Sequence, residues 1–122
     1  MAKGKNIPLV SADKTLKAAL KEMTKKGLGV VCVKEKNGKI NLITDGDIRR
    51  NSNNLYKKKI IQVCSKKPIW ISDTTTALAA IEKINALKIT SLLVTQNQDI
   101  KKKIKKIVGV LHLHHCLSRG IK

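Results

Sequence analysis

The segment Ser11-Ala-Asp-Lys-Thr-Leu-Lys-Ala-Ala-Leu returns 61 residues later as Ser72-Asp-Thr-Thr-Thr-Ala-Leu-Ala-Ala-Ile. The same offset pairs Pro8-Leu9-Val10 with Ile69-Trp70-Ile71, Met23 with Ile84, and Leu28–Val33 with Ile89–Val94. Beyond Val94 the register slips. Asn41-Leu-Ile-Thr-Asp-Gly-Asp matches Gly109-Val-Leu-His-Leu-His-His at an offset of 68 (Asn41 to Gly109), so the second copy carries seven extra residues. They fall in Gln96–Lys106, a polar, Lys-rich stretch that reads as a loop. A copy of roughly 50–60 residues buries too little surface to be more than marginally stable alone. Two copies are therefore expected to close each other's apolar faces around a pseudo-two-fold axis. Clefts near such an axis are a usual place for a small ligand.

Each copy carries the same order of elements. Ile7–Val10 reads as a short apolar strand, and Ser11–Thr15 supplies turn and N-cap residues. Leu16, Ala19, Leu20 and Met23 then recur at helical spacing, one apolar face of an amphipathic helix that Gly27 would end. Leu28–Val33 is rich in β-formers, Asn37-Gly38 signals a hairpin, and Ile40–Thr44 is its return strand. Asp45 would cap a last helix from about Gly46. In the second copy Ala77, Ala80, Ile81 and Ile84 form the helical face, Ser91–Val94 the strand and Ile107–His112 its partner. The predicted fold is α/β (α+β), two β-α-β-β-α repeats. The predicted boundaries are 1–56 and 57–122, with Asn51–Lys59 as linker.

The core must be built from Ile, Leu and Val, because the chain has no Phe and is 2% aromatic. No apolar run approaches the ~20 residues of a membrane span, and the first residues lack a signal peptide's apolar stretch. A cytoplasmic protein with no membrane partner is expected. Cys32, Cys64 and Cys116 are odd in number and lack C-x-x-C spacing, which supports neither a disulfide framework nor a zinc site. A net charge of +18 points toward polyanions. The lysines, however, come in runs (Lys57–Lys59, Lys101–Lys103, Lys105-Lys106) in the linker and loop, and a solvated basic surface is the simpler account of them. Tyr56 and Trp70 are too few aromatics to stack single-stranded bases. Nucleic acid is therefore an alternative partner rather than the expected one. No Gly-x-Ser-x-Gly, paired carboxylates with a base, or phosphate-binding Gly-rich motif is present, so no catalytic residues are assigned.

Two β-α-β-β-α copies, each with a strand followed by a Thr-Asp or equivalent turn, resemble a tandem pair of CBS domains. Asn6-Ile-Pro-Leu-Val, Lys26-Gly-Leu-Gly-Val, Ile43-Thr-Asp-Gly-Asp-Ile-Arg-Arg, Lys88-Ile-Thr and Val110-Leu-His-Leu-His resemble one subfamily in particular. It is the C-terminal CBS pair of bacterial arabinose-5-phosphate isomerases (sugar isomerase/CBS enzymes), which open the Kdo branch of lipopolysaccharide synthesis. The resemblance implies that isomerase chemistry lies in an upstream sugar-isomerase (SIS) domain, and that this chain is a non-catalytic, regulatory part. Met1 then corresponds to an internal position of such an enzyme.

CBS domains that bind nucleotides use Gly-x-x-Thr/Ser-x-x-Asp. Thr44 and Asp47 match that pattern, with Asn41 in place of the glycine. In the second copy Gly109 is present, His112 takes the Thr position and His115 the Asp position. The resemblance also implies that Lys88, Ile89 and Thr90 precede a strand bordering the cleft and that Arg49-Arg50 neutralise phosphate, although a solvated helix face accounts equally for the two arginines. The plain structural alternative is that Thr44 or Asp45 only caps a helix and that Asp47 favours its dipole. His112, His114 and His115 have no carboxylate nearby in sequence, and no metal is expected. Neutral imidazole at His115 offers one donor and one acceptor, too few to clamp a ribose diol, so the two half-sites are expected to differ. The expected function is ligand sensing with no resident cofactor. The ligand would be a nucleotide or nucleotide-sugar such as CMP-Kdo, acting on an upstream SIS domain in a homodimer or higher homo-oligomer. A polyanion-binding protein and a purely structural oligomerisation domain are the alternatives.

Overall fold

The computed structural model describes residues 2–64 and 67–112. Their contacts divide the chain into two units. One is Ile7–Pro68; the other joins residues 2–6 to the described residues from Ile69 onward.

In the first unit, β1 (Leu9–Ser11) pairs in parallel with β2 (Val30–Lys34), and β2 pairs antiparallel with β3 (Ile40–Thr44). The parallel pair needs a crossover, and α1 (Leu16–Lys26) supplies it. Leu16, Ala19 and Met23 are buried as the periodicity predicts, and Leu20 packs half-buried beside them. Gly27 ends α1 in the left-handed region (φ 71°), its N–H donating to Met23 O. The β2–β3 hairpin turns through Asn37-Gly38, where Gly38 has φ 88° and Asn37 Oδ1 accepts from Lys39 N. After β3 come α2 (Asp45–Arg50) and the four-residue α3 (Ile60–Val63). Leu16, Val31, Val33, Ile43, Ile48 and Ile60 fill one core, and a fully buried aliphatic side chain of this kind contributes about 1.5–3 kcal/mol.

The second unit repeats the pattern with β4 (Trp70–Ser72), α4 (Ala77–Leu87), β5 (Ser91–Thr95) and β6 (Gly109–His112), in the order β4-β5-β6. Its β1-, α1- and β2-equivalents stand at the 61-residue offset and its last strand at 68, as the sequence repeat requires. Ile71, Ala80, Ile84, Leu92, Val94 and Leu111 form its core.

Three expectations are corrected. Ala77, placed on the buried helical face, is exposed, whereas its equivalent Leu16 is fully buried. Leu16 is covered because the chain returns over it: Leu16 N donates to Lys58 O and Lys17 N to Leu55 O. That return also corrects the reading of Asn51–Lys59 as a linker. Ile60 N and Ile61 N donate to Lys14 O and Ala12 O, and Ile60 is fully buried, so the segment belongs to the first unit. At the other end Ala2 forms a two-bond antiparallel bridge with Val110 on the edge of β6. Finally, the α2 cap is Thr44 rather than Asp45. The last helix expected in the second copy lies outside the described residues.

Candidate ligand site

Thr44 closes β3 opposite Val30 in the strand register, with extended dihedrals (φ −105°, ψ 165°) that turn the chain into α2. Its hydroxyl accepts from Asp47 N at 3.2 Å, and Asp47 Oδ2 accepts from Thr44 N at 3.0 Å. This reciprocal pair satisfies two backbone donors that a helix start otherwise leaves without partners. Asp47 is 5% exposed, and its other oxygen, Oδ1, accepts from Arg50 Nη2 at 2.6 Å. Asn51 Nδ2 donates to Asp47 O at the far end of α2. Asp45 N is held by Gly29 O, while Asp45 Oδ1 accepts from Gly46 N.

Arg49 and Arg50 fold back over this turn. A Cβ on Gly46 would lie 3.2 Å from Arg50 Nη1, 3.6 Å from Arg49 Nη2 and 3.7 Å from the Thr44 hydroxyl oxygen. Glycine thus leaves room for two guanidinium groups beside one hydroxyl and one buried carboxylate. Guanidinium forks suit phosphate oxygens. An ionised carboxylate has about four lone-pair sites, of which Asp47 uses two here, so further hydroxyl donors are chemically compatible with it. Arg50 is 66% exposed at its side chain and can leave Asp47 without uncovering a core residue.

The remaining predicted residues divide as follows. Asn41 lies in mid-strand opposite Val33, and its Nδ2 donates to Glu35 Oε2 at 2.8 Å, which ties it to the hairpin. Lys88, Ile89 and Thr90 lie in the second unit, where they lead from α4 into β5, and His112 pairs in register with Ser91 at the start of β5. They therefore gather at one end of that sheet, the end equivalent to Thr44 in the first. His112 is buried, Thr90 exposed and Ile89 half-buried against the core. Lys88 holds a left-handed conformation (φ 55°, ψ 42°) with its N–H on Asn85 O and Ile84 O. His114 and His115 lie outside the described residues.

Among the described residues no cluster of His, Cys, Asp or Glu could hold a metal ion. Burial pushes the Cys32 thiol up to about 12. Cys64 is raised as well, first by burial and then by the negative charges of Glu35 and Asp47. Both thiols therefore stay protonated near neutral pH and are poor nucleophiles. One feature escaped the sequence: a cleft of about 380 Å³ at the hairpin end of the first unit, walled by Asp13, Glu35, Lys36 and Lys59 around Ala12 and Ile61. It contains none of the residues at the Thr44 turn. No periodicity signals it, because the returning segment that carries Lys59 and Ile61 builds one wall.

The CBS-domain family model matches residues 3–54 and again 60–121. The chain belongs to the CBS-domain family. As a CBS pair it is 35% identical over its whole length to the arabinose 5-phosphate isomerase KdsD of Francisella tularensis, of which it covers 36%. It thus spans about a third of the length of the curated relatives it matches. Among solved structures, a CBS domain protein from Pyrobaculum aerophilum complexed with AMP superposes with a TM-score of 0.76 at 19% identity, covering 97% of this chain and 89% of that one. The CBS domain pair of protein MJ0100, in complex with 5′-methylthioadenosine and S-adenosyl-L-methionine, gives 0.75 at 18% identity, covering 99% and 94%. At such identities the likeness establishes the fold. No helix among the described residues is long and apolar enough to cross a membrane.

Proposed function

We propose that this CBS pair is the nucleotide-sensing, regulatory part of an arabinose-5-phosphate isomerase. Its ligand is a nucleotide or nucleotide-sugar, with CMP-Kdo, the activated product downstream of the isomerase, as first candidate. The observation that carries the reading is the convergence of Arg49 and Arg50 on the Thr44 hydroxyl and the Asp47 carboxylate across Gly46. Phosphate takes the guanidinium groups, and ribose hydroxyls donate to Asp47 as Arg50 swings from carboxylate to phosphate. Binding of AMP and of adenosyl ligands by proteins of the same fold supports the ligand class. Similarity over the full chain to a third of an isomerase supports the attachment to a catalytic domain, and regulation follows if the ligand prefers one state of that domain. A homodimeric, cytoplasmic assembly completes the proposal.

One observation favours a second reading, a purely structural domain: both Asp47 oxygens already have partners. The two readings part in a thermal-shift experiment. A ligand that binds only the folded state adds RT ln(1 + [L]/Kd), about 2.7 kcal/mol at a hundredfold excess over Kd. A panel of CMP-Kdo, CMP, AMP and ATP at millimolar concentration is expected to raise Tm by several degrees for at least one member. Arg49→Ala should abolish most of that shift while leaving the unliganded Tm unchanged, because Arg49 takes no part in the helix cap. A flat Tm across the panel makes the domain structural.

A further inference from the structure

The seven residues that the second repeat adds are built into a held loop. Thr95, fully buried, donates its hydroxyl to Lys106 O at 2.8 Å, and Val108 N donates to Val94 O. Asp73 Oδ1 accepts from Asn97 N, Asp99 pairs with Lys102 at 2.6 Å, and Lys105 Nζ lies 5.6 Å from the centre of the Trp70 ring while donating to Lys102 O. This framework presents Ile100-Lys101-Lys102-Lys103-Ile104-Lys105-Lys106, five cations in seven residues. Lys101, Lys103 and Lys106 are exposed and form no ion pair among the described residues, and Asp99 is the last acidic residue of the sequence. At their centre Ile104 is 51% exposed. The first repeat makes the equivalent connection with a tight turn at Asn37-Gly38.

We infer that this loop docks the CBS pair on an anionic lipid surface, with Ile104 entering the boundary between headgroups and acyl chains and the lysines facing the phosphates. Lysines near such a surface are attracted to its anionic headgroups, and the exposed Ile104 adds apolar burial that charge alone lacks. A nucleic acid would use the same cations but has no use for an exposed isoleucine, and the loop contains no aromatic residue to stack on bases. Peripheral contact needs no spanning helix. The inference therefore departs from the sequence-based expectation of no membrane partner, which rested on the lack of a span.

The test is co-flotation of the 122-residue chain with vesicles of phosphatidylglycerol and phosphatidylcholine, or of phosphatidylcholine alone, at 150 mM salt. Trp70 is the sole tryptophan and sits against Lys105, so its emission reports loop docking directly. Binding is expected to the anionic vesicles only, with a change in Trp70 emission. The triple variant Lys101→Gln/Lys103→Gln/Lys106→Gln should weaken partition about a hundredfold, and Ile104→Ser, which keeps every charge, about tenfold. A control that removes the same charge from the first unit, Lys14→Gln/Lys21→Gln/Lys25→Gln, should lose no more than about threefold through bulk charge. Melting curves confirm that each variant is folded. Equal losses in the two triple variants, or no loss in Ile104→Ser, would overturn the inference. So would a loop-dependent complex with RNA that Ile104→Ser leaves intact.

Discussion

The two repeats share one set of strands and one crossover helix, yet they finish their surfaces differently. In the first, α1 exposes Lys21, Thr24 and Lys25, the hairpin turns in three residues, and the chain returns over the helix start to bury Leu16 and Ile60. In the second, α4 exposes Leu78 (57%) and Leu87 (48%), the hairpin becomes a lysine-rich loop, and Ala77 lies in the open. The difference teaches which positions the fold dictates and which it leaves free. Positions that face the sheet from the helix, Ala19/Ala80 and Met23/Ile84, stay apolar in both copies and are buried in both. Leu16 is buried where the returning segment covers it.

The sharpest way to break that comparison is to substitute both members of the pair. Leu16→Ala removes a fully buried side chain from the first core and should cost about 3 kcal/mol, within the usual range for such changes. Ala77→Ser at the equivalent position should change stability by less than about 0.5 kcal/mol. Urea titrations of both variants, with m unchanged, would check it. A comparable loss at Ala77 would mean that this position, too, is covered.

The repeat offset and the apolar periodicity made the strand order and both crossover helices legible, because a core-facing residue leaves a periodic trace. Gly27 and Asn37-Gly38 were equally legible, since left-handed backbone demands particular residues. The return of Leu55–Ile60 over α1 was not. Its apolar anchors, Leu55 and Ile60, stand amid lysines and asparagines, a composition that matches a solvated linker. The Ala2–Val110 bridge was hidden for a related reason: its bonds are made by the backbone and leave no side-chain pattern. At the site, the Thr44–Asp47 spacing singled out a pair that the structure joins as a helix cap, but spacing could not separate cap from ligand contact. The structure supplies the cap, and the neighbourhood of Arg49 and Arg50, which depends on side-chain direction, had no trace beyond their adjacency.

A second contrast concerns how each unit finishes its last β-strand. Thr44 and Asp47 lock the exit of β3, whereas in the second copy His112 stands at the position of Thr44. Asp47→Ala deletes the acceptor for Thr44 N and leaves Arg50 unpaired at the surface. The exposed Arg50 adds little, so the cost is mainly the capping bond, about 2 kcal/mol. Thr44→Ala should cost about 1 kcal/mol. Thermal melts should rank them in that order. A neutral Asp47→Ala would show that the reciprocal cap does not hold the helix start, and would leave ligand binding as the main use of this carboxylate.

The smallest effect isolates one backbone position. Gly27 (φ 71°) and Lys88 (φ 55°) end equivalent helices in the same left-handed conformation, which brings Cβ of an L-residue too close to the neighbouring carbonyl. Glycine escapes that strain and loses more chain entropy on folding in exchange. The strain exceeds the entropy difference at such positions, so Lys88→Gly should stabilise the protein by about 1 kcal/mol and Gly27→Lys should destabilise it by a similar amount. Differential melting of the two variants gives both signs in one experiment. A strained residue is retained where its side chain has a use, and Lys88 leads into the strand that begins opposite His112. If Lys88→Gly raises Tm and at the same time lowers the ligand-induced shift several-fold, the lysine is a binding residue that the fold carries at a cost. If the ligand shift is unchanged, Lys88 is a helix terminus that happens not to be glycine.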